Sequence, residues 1–164
     1  MKNTKLQNLG IAVASVLVCF SLGAGAARAG DDRHDDNDKD GKFLLISFDE
    51  MFTSGSTIDG MSTLAGAFSD EGTRHEDFTT TQNGNEVTVT GTVRIVGSKG
   101  TLTTQFTGVI PAGSNPTYIE GTEYITGGTG VYAGARGKGT FEATLDFNTG
   151  KIVGVAELKV QSKK

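Results

Sequence analysis

In this 164-residue chain, carboxylates are the side chains whose type and spacing suggest chemistry, beginning with metal binding. Asp36, Asp38 and Asp40 occupy alternate positions before Gly41, which is the pattern of the opening half of an EF-hand calcium loop. The second half of such a loop is missing, because its twelfth position is Ser47 instead of a bidentate glutamate. We therefore expect a solvated charge run and no metal site, with weak calcium binding by the three aspartates as the alternative.

Two glutamates lie on otherwise apolar faces of predicted strands. Glu50 alternates with Phe48 and Phe52, and Glu123 precedes Ile125 on the same face. We expect both strands to end near these residues, so that the carboxylates reach water. In the alternative, these carboxylates point into an apolar cavity, where burial would raise their pKa and allow them to act as an acid or base, and Glu123 contacts a ligand there.

The N-terminal residues have the three parts of a cleavable export signal. Lys2 and Lys5 supply positive charge, residues 9–22 form an apolar run, and residues 27–29 read Ala-Arg-Ala, a small-x-small cleavage pattern. We predict that residues 1–29 are a signal peptide and that the protein is secreted or periplasmic. Cys19, the only cysteine, lies inside the apolar run, so the exported chain would contain no disulfide.

Charge excludes several kinds of partner. The chain has 15 basic and 19 acidic residues, and loss of Lys2, Lys5 and Arg28 with the signal leaves 12 basic residues against the same 19 acidic ones. Such an acidic protein is not expected to bind nucleic acid, or a membrane after signal cleavage. Residues 30–42, which follow the predicted signal, contain no aliphatic or large aromatic side chain that could be buried. We expect them to form an acidic disordered tail.

From residue 43 to the end, residue 164, apolar and polar residues alternate with a period of two, which is typical of strands with one buried face. Turn sequences such as Asn83-Gly84 separate the segments. We predict an all-β fold, a single antiparallel barrel of about eight strands, because closure removes exposed strand edges. The predicted strands are 43–52, 62–69, 73–81, 85–97, 100–110, 117–126, 137–147 and 150–160. A barrel of this size is either packed solid or holds one small apolar ligand.

The segment 125–140, ITGGTGVYAGARGKGT, is the most distinctive part of the sequence. A phosphate-binding glycine loop requires a helix after it, but residues 139–145 have a strand pattern, so no nucleotide cofactor is expected. The glycines are expected to supply positive φ angles in a loop that re-enters the barrel. Gly127 to Tyr132, followed by Ala135-Arg136-Gly137, resembles the signature of dirigent proteins and their relatives in the allene oxide cyclase-like barrel superfamily, which includes secreted bacterial members.

The resemblance implies a barrel that is often a homo-oligomer and has a pocket at one end. Asp49 and Arg136 match dirigent positions that hold a pocket acid and a pocket arginine, so the resemblance makes them candidate catalytic residues. Tyr132, Arg136 and Glu123 are the candidate ligand-binding residues. The histidine that usually precedes the aspartate is Phe48 here, which argues against catalysis. An ion pair or a turn contact is the alternative role for Asp49 and Arg136.

Two functions remain open at this stage. The first is a secreted barrel that binds a small apolar molecule and steers a cyclisation or coupling, as in dirigent and allene oxide cyclase relatives; an enzyme of this kind would be isomerase-like. The second is a non-catalytic exported module with a packed barrel. No Ser-His-Asp set supports hydrolysis, because after the signal the chain holds only His34, in the tail, and His75, which we expect to be exposed.

Overall fold

A computed structural model describes residues 41–111, 113 and 115–161 of the chain. The predicted signal peptide, residues 1–29, lies outside the described residues. So do most of the acidic tail and the calcium candidates Asp36, Asp38 and Asp40. No helix in the described part of the chain is long and apolar enough to cross a membrane.

Eight antiparallel strands close into one barrel, each paired with the next and the last paired with the first. The strands are β1 (Lys42–Ser54), β2 (Thr57–Gly66), β3 (Asp70–Asn83), β4 (Glu86–Gly97), β5 (Gly100–Pro111), β6 (Thr117–Gly128), β7 (Arg136–Asp146) and β8 (Lys151–Gln161). The predicted all-β class and the antiparallel barrel of eight strands are confirmed. The only helical element among the described residues is the short 3-10 turn Gly130–Tyr132.

Strand β2 is where the predicted boundaries differ most from the structure. The pattern predicted a strand over 62–69, whereas β2 begins at Thr57 and ends at Gly66. Its inward positions include Ile58, Gly60 and Ser62, and the glycine and serine interrupt the apolar alternation there. A periodicity argument therefore recognises only the second half of the strand.

Alternation along every strand places one set of side chains inside the barrel. In β1, Leu44, Ile46, Phe48 and Glu50 are buried while the residues between them are exposed. The interior divides into two apolar clusters. The larger one is built around Leu44, Leu102, Tyr132 and Leu158, and the smaller one around residues such as Ile119 and Leu145.

The two ends of the barrel are closed differently. At one end, which we call the capped end, the chain between β6 and β7 folds over the barrel and buries Tyr132 and Ala135. The other end, which we call the open end, carries the connections 55–56, 84–85 and 147–150 and the described residues 113, 115 and 116 between β5 and β6. The smaller apolar cluster and a cavity with mainly apolar walls lie towards the open end.

Candidate ligand-binding cavity

A cavity of about 60 Å³ lies inside the barrel towards the open end. This volume is sufficient for roughly four to six water molecules, or for a ligand of similar size. Its walls are mainly phenylalanine and aliphatic side chains, and four charged residues also line it. The phenylalanines are Phe48, Phe52, Phe78, Phe106 and Phe141. The charged residues are Glu50, Arg74, Glu76 and Glu123.

Arg74 is the centre of the charged group and is only 4% exposed. Its Nε forms an ion pair with Glu50 Oε1, and its Nη2 donates to Glu76 Oε2 at 3.1 Å. The ring of Phe48 lies beneath the guanidinium, with 4.3 Å between Cζ and the ring centroid. Nη1 has no hydrogen-bond partner among the described residues. The arginine therefore retains one donor that a small molecule or a water could accept.

Strand register explains how an ion pair forms between residues of non-adjacent strands. Gly60 of β2 lies between Glu50 of β1 and Arg74 of β3, since it is the register partner of both. A Cβ at Gly60 would overlap the backbone of Asp49 and the Cγ of Glu50. The absent side chain at this inward position allows the guanidinium of Arg74 to reach the carboxylate of Glu50 across β2.

Glu123 projects from β6 and is 1% exposed. Thr104 of the neighbouring strand β5 donates a hydrogen bond from Oγ1 to Glu123 Oε1. Glu50 is also deeply buried, at 2% exposed. The expectation that these strands end near Glu50 and Glu123 and let both carboxylates reach water is therefore wrong. Both strands continue beyond the glutamates, β1 to Ser54 and β6 to Gly128.

Burial dominates the electrostatics of this cavity. It raises the pKa of Glu50 to about 7, although the neighbouring Arg74 opposes the rise. Burial also raises the pKa of Glu76, again against Arg74. Burial works to lower the pKa of Arg74, but the carboxylates of Glu50, Glu123 and Glu76 outweigh it and raise that pKa. The guanidinium stays charged, and near neutral pH the cluster holds a proton that it can exchange.

Tyr132, a predicted ligand-binding residue, belongs to the capped end and packs into the larger apolar cluster. Its hydroxyl donates to Asp70 Oδ2 at 2.9 Å, and its ring meets that of Phe68 edge-on, with centroids 5.0 Å apart. Burial, with the hydrogen bond to Asp70, raises the pKa of Tyr132 to about 12. Gly130 has a φ of +58°, which confirms the expected positive φ in this glycine-rich loop. The tyrosine closes the barrel here.

The resemblance implied that Asp49 and Arg136 lie together in a pocket, but the structure places them far apart. Asp49 lies on the outer face of β1, where it forms an ion pair with Lys151 at 3.0 Å. Arg136 is exposed at the capped end, and its Nη1 donates to Ala135 O at 2.8 Å. On β8, their register partners Val153 and Gln161 are eight residues apart, roughly 26 Å along the strand.

The structure also locates Glu123 and His75, the other residues that the sequence analysis considered. Glu123 lines the cavity, as the ligand-binding alternative required. His75 is exposed, as expected, and its Nδ1 lies 2.6 Å from Asp59 Oδ1 on the outer surface. Within the described residues, no group of three or more His, Cys, Asp or Glu side chains is arranged to hold a metal ion.

Sequence reasoning missed Arg74 and Glu76, which are central to the cavity. Both stand in the polar run 70–77, where charged residues also occupy the outward positions, so no apolar alternation marks the inward face. A usable signal was the alternation of Gly72, Arg74, Glu76 and Phe78 on one face. That face begins with a residue that lacks a side chain and ends with an aromatic residue.

Fold and cavity together define a closed eight-stranded β-barrel with a charged interior at one end. Comparisons of the chain with protein-family models, curated proteins and solved structures find no match.

Proposed function

We propose that this chain is an exported barrel protein that binds a small, mainly apolar molecule carrying one polar group. The observation that carries the proposal is the cavity towards the open end, where apolar walls lead to a buried charged cluster. A ligand site of this kind combines apolar contact area with a few polar groups that orient the ligand. The resemblance to dirigent and allene oxide cyclase-like barrels supports the same class of function.

Cavity size limits the ligand. About 60 Å³ accommodates a molecule of roughly five non-hydrogen atoms, or the end of a longer molecule that enters between the connections of the open end. Phe52 is 39% exposed and contacts Phe78 edge-on at 5.8 Å, so an aromatic pair stands at the entrance. Part of a longer ligand would contact this pair.

Unpaired polarity in the cavity favours a ligand over a dry core. Arg74 Nη1 lacks a partner among the described residues, and a buried donor left without one costs about 1–3 kcal/mol. A water or a polar ligand atom in the cavity would remove that cost. The proposal assigns binding to this site and no reaction.

Titration with butan-1-ol, followed by backbone NMR shifts, tests the proposal. We expect saturable shifts centred on the cavity strands, with a dissociation constant on the order of 1 mM for so small a probe. In Ala143→Leu the added atoms fill the cavity, so binding should be lost while the fold is retained. Thr144→Leu, on the outer face of the same strand, is the matched control and should bind as the wild type does.

Absence of saturable shifts in the wild type would contradict the proposal and favour the packed structural module. Equal shifts in the wild type and in Ala143→Leu would contradict it too, because they would place the probe elsewhere on the protein.

A further inference from the structure

We infer that the cavity selects a cation, an ammonium group on a short apolar body, over the corresponding carboxylate. This inference rests on the proposed function and names the charge of the ligand that the same cavity takes. Its basis is the set of charged side chains in the wall, in which three glutamates face a single arginine.

Arg74 is already engaged by protein groups on three sides. Its Nε contacts Glu50, its Nη2 contacts Glu76, and one face of the guanidinium lies over Phe48. Nη1 has neither a hydrogen bond nor an ion pair with any described residue. An anion bound there would add negative charge to a group of three carboxyls that share one guanidinium and, near neutral pH, already hold a proton.

Glu123 is the carboxylate of the cluster that has no direct ion pair with a described residue. It accepts a hydrogen bond from Thr104, which holds it in place, and it has no ion pair with any residue in the described part of the chain. Its charge is felt at Arg74, Glu50 and Glu76, so it belongs to the same cluster. An ammonium group beside Glu123 would give this carboxylate a partner and leave the Arg74 pairs intact; since an ammonium group only donates, a water would accept from Arg74 Nη1.

The aromatic walls suit the same ligand. Phe106, the register partner of Glu123, meets Phe141 edge-on with ring centroids 5.7 Å apart. The faces of aromatic rings attract cations, and the attraction is stronger where water is excluded. A short aliphatic chain on the ammonium would fill the apolar remainder of the cavity.

Proton exchange by Glu50 provides an independent signature. Glu50 is faced by Arg74 and Glu76 from β3 and by Glu123 from β6, and its pKa is raised mainly by burial, to about 7. A cation entering this group stabilises the ionised carboxylate and lowers that pKa. Binding of an ammonium ion near pH 7 should therefore release protons.

The test compares butylamine, butan-1-ol and butanoate, three probes with the same apolar chain and different charges, by NMR titration at pH 7. Butylamine carries its charge at this pH, since alkyl ammonium groups have a pKa near that of lysine. We expect it to bind at least about tenfold more tightly than butan-1-ol, and butanoate to bind more weakly than either. Calorimetry of butylamine binding in two buffers of different ionisation enthalpy should show net proton release.

Glu123→Gln keeps the shape of the side chain and removes its charge. It should reduce the preference for butylamine over butan-1-ol severalfold or more, with butan-1-ol affinity little changed. Glu120→Gln, outward on the same strand, removes an equal charge from the surface. It should leave the preference unchanged, which separates a cavity effect from general attraction to an acidic protein.

Equal affinity for butylamine and butan-1-ol would overturn the inference and leave the proposed function standing. Tighter binding of butanoate would overturn it as well and would assign Arg74 Nη1 as an anion site. Binding of none of the three probes would contradict the proposed function itself. Should Glu123→Gln fail to fold, the wild-type probe series and the proton count still decide between these outcomes.

Discussion

The polar groups at the two ends of this barrel differ in how fully their hydrogen-bonding capacity is satisfied. At the capped end, the Asp70 carboxylate accepts hydrogen bonds from Tyr132 Oη, Ser98 Oγ and the backbone N of Lys99, at 2.9 to 3.0 Å. At the open end, the buried cluster has more carboxylates than cations and an unpartnered donor on Arg74. Polar groups whose hydrogen bonds are all made within the protein rigidify the structure, whereas a buried group with an unmade hydrogen bond can take a ligand or a water as its partner. We therefore attribute stability mainly to the capped end and propose the open end as the ligand site.

Truncation of Tyr132 should give the largest effect. Tyr132→Ala leaves a void in the larger apolar cluster and should lower the free energy of unfolding by about 3–5 kcal/mol. Tyr132→Phe, which loses only the hydrogen bond to Asp70, should cost about 1 kcal/mol. Urea unfolding measures both values.

The same truncation at the open end is the matched comparison. Phe52→Ala removes an aromatic ring that is already 39% exposed, so it should cost about 1 kcal/mol or less. A cost for Phe52→Ala equal to that for Tyr132→Ala would contradict the division of roles between the two ends.

Removal of the buried cation Arg74 should have the next largest effect on the free energy of unfolding. Arg74→Met leaves Glu50, Glu76 and Glu123 without the guanidinium and should destabilise the protein by about 3 kcal/mol at pH 7. The loss should shrink towards pH 5, because protonation of the carboxyls relieves it. Arg94→Met, at an exposed position on β4, is the control and should have little effect at either pH. A loss that is independent of pH would argue against repulsion among the carboxylates.

Stability at the open end should depend on pH through Glu50. Its pKa is about 7 in the folded protein and 4.5 as the ordinary value, so the folded state holds more protons between these limits. The contribution of Glu50 to the free energy of unfolding is fully present below pH 4.5 and is lost as the pH rises to about 7. Glu50→Gln removes this dependence, so its stability relative to the wild type should rise over that window. Urea unfolding from pH 4 to 8 checks this, with the outward Glu157→Gln expected to follow the wild type.

The capped end should respond to pH in the opposite direction and more weakly. Burial favours a higher pKa for Asp70, but the hydrogen bonds from Lys99, Ser98 and Tyr132 outweigh it and lower the pKa to about 2. Stability from Asp70 is therefore present above pH 3.8 and is lost as the pH falls towards 2. Asp70→Asn should be less stable than the wild type at pH 6, with the difference narrowing at low pH. An unchanged difference down to pH 2 would contradict a role for the ionised carboxylate.

Sequence patterns predicted the barrel well and the site only in part. Alternation along β4, β5, β7 and β8 was clear because each strand has one apolar face, and those residues do face the interior. Arg74 and Glu76 broke the rule that charged residues face water, and only the register through Gly60 shows that Arg74 reaches Glu50. Pairing across a strand depends on long-range closure, which local periodicity does not encode.

Closeness in the glycine-rich segment was also a poor guide to a residue's surroundings. Arg136 and Tyr132 lie four residues apart in the glycine-rich segment, yet one is exposed and the other buried in the cap. Phe48 lies beneath the guanidinium of Arg74. The segment builds the closed end of the barrel, and the ligand cavity lies towards the other end.

The most direct test of the central claim, that the open end admits a ligand and the capped end does not, is an NMR measurement of nuclear Overhauser effects from bound butan-1-ol. The account predicts effects from the probe to the methyl groups of Ile119, Ala143 and Ile152, which line the cavity. It predicts none to Ala135 or Val160, which belong to the larger cluster beneath the cap. Effects to Ala135 and Val160, or to outward-facing methyl groups alone, would contradict it.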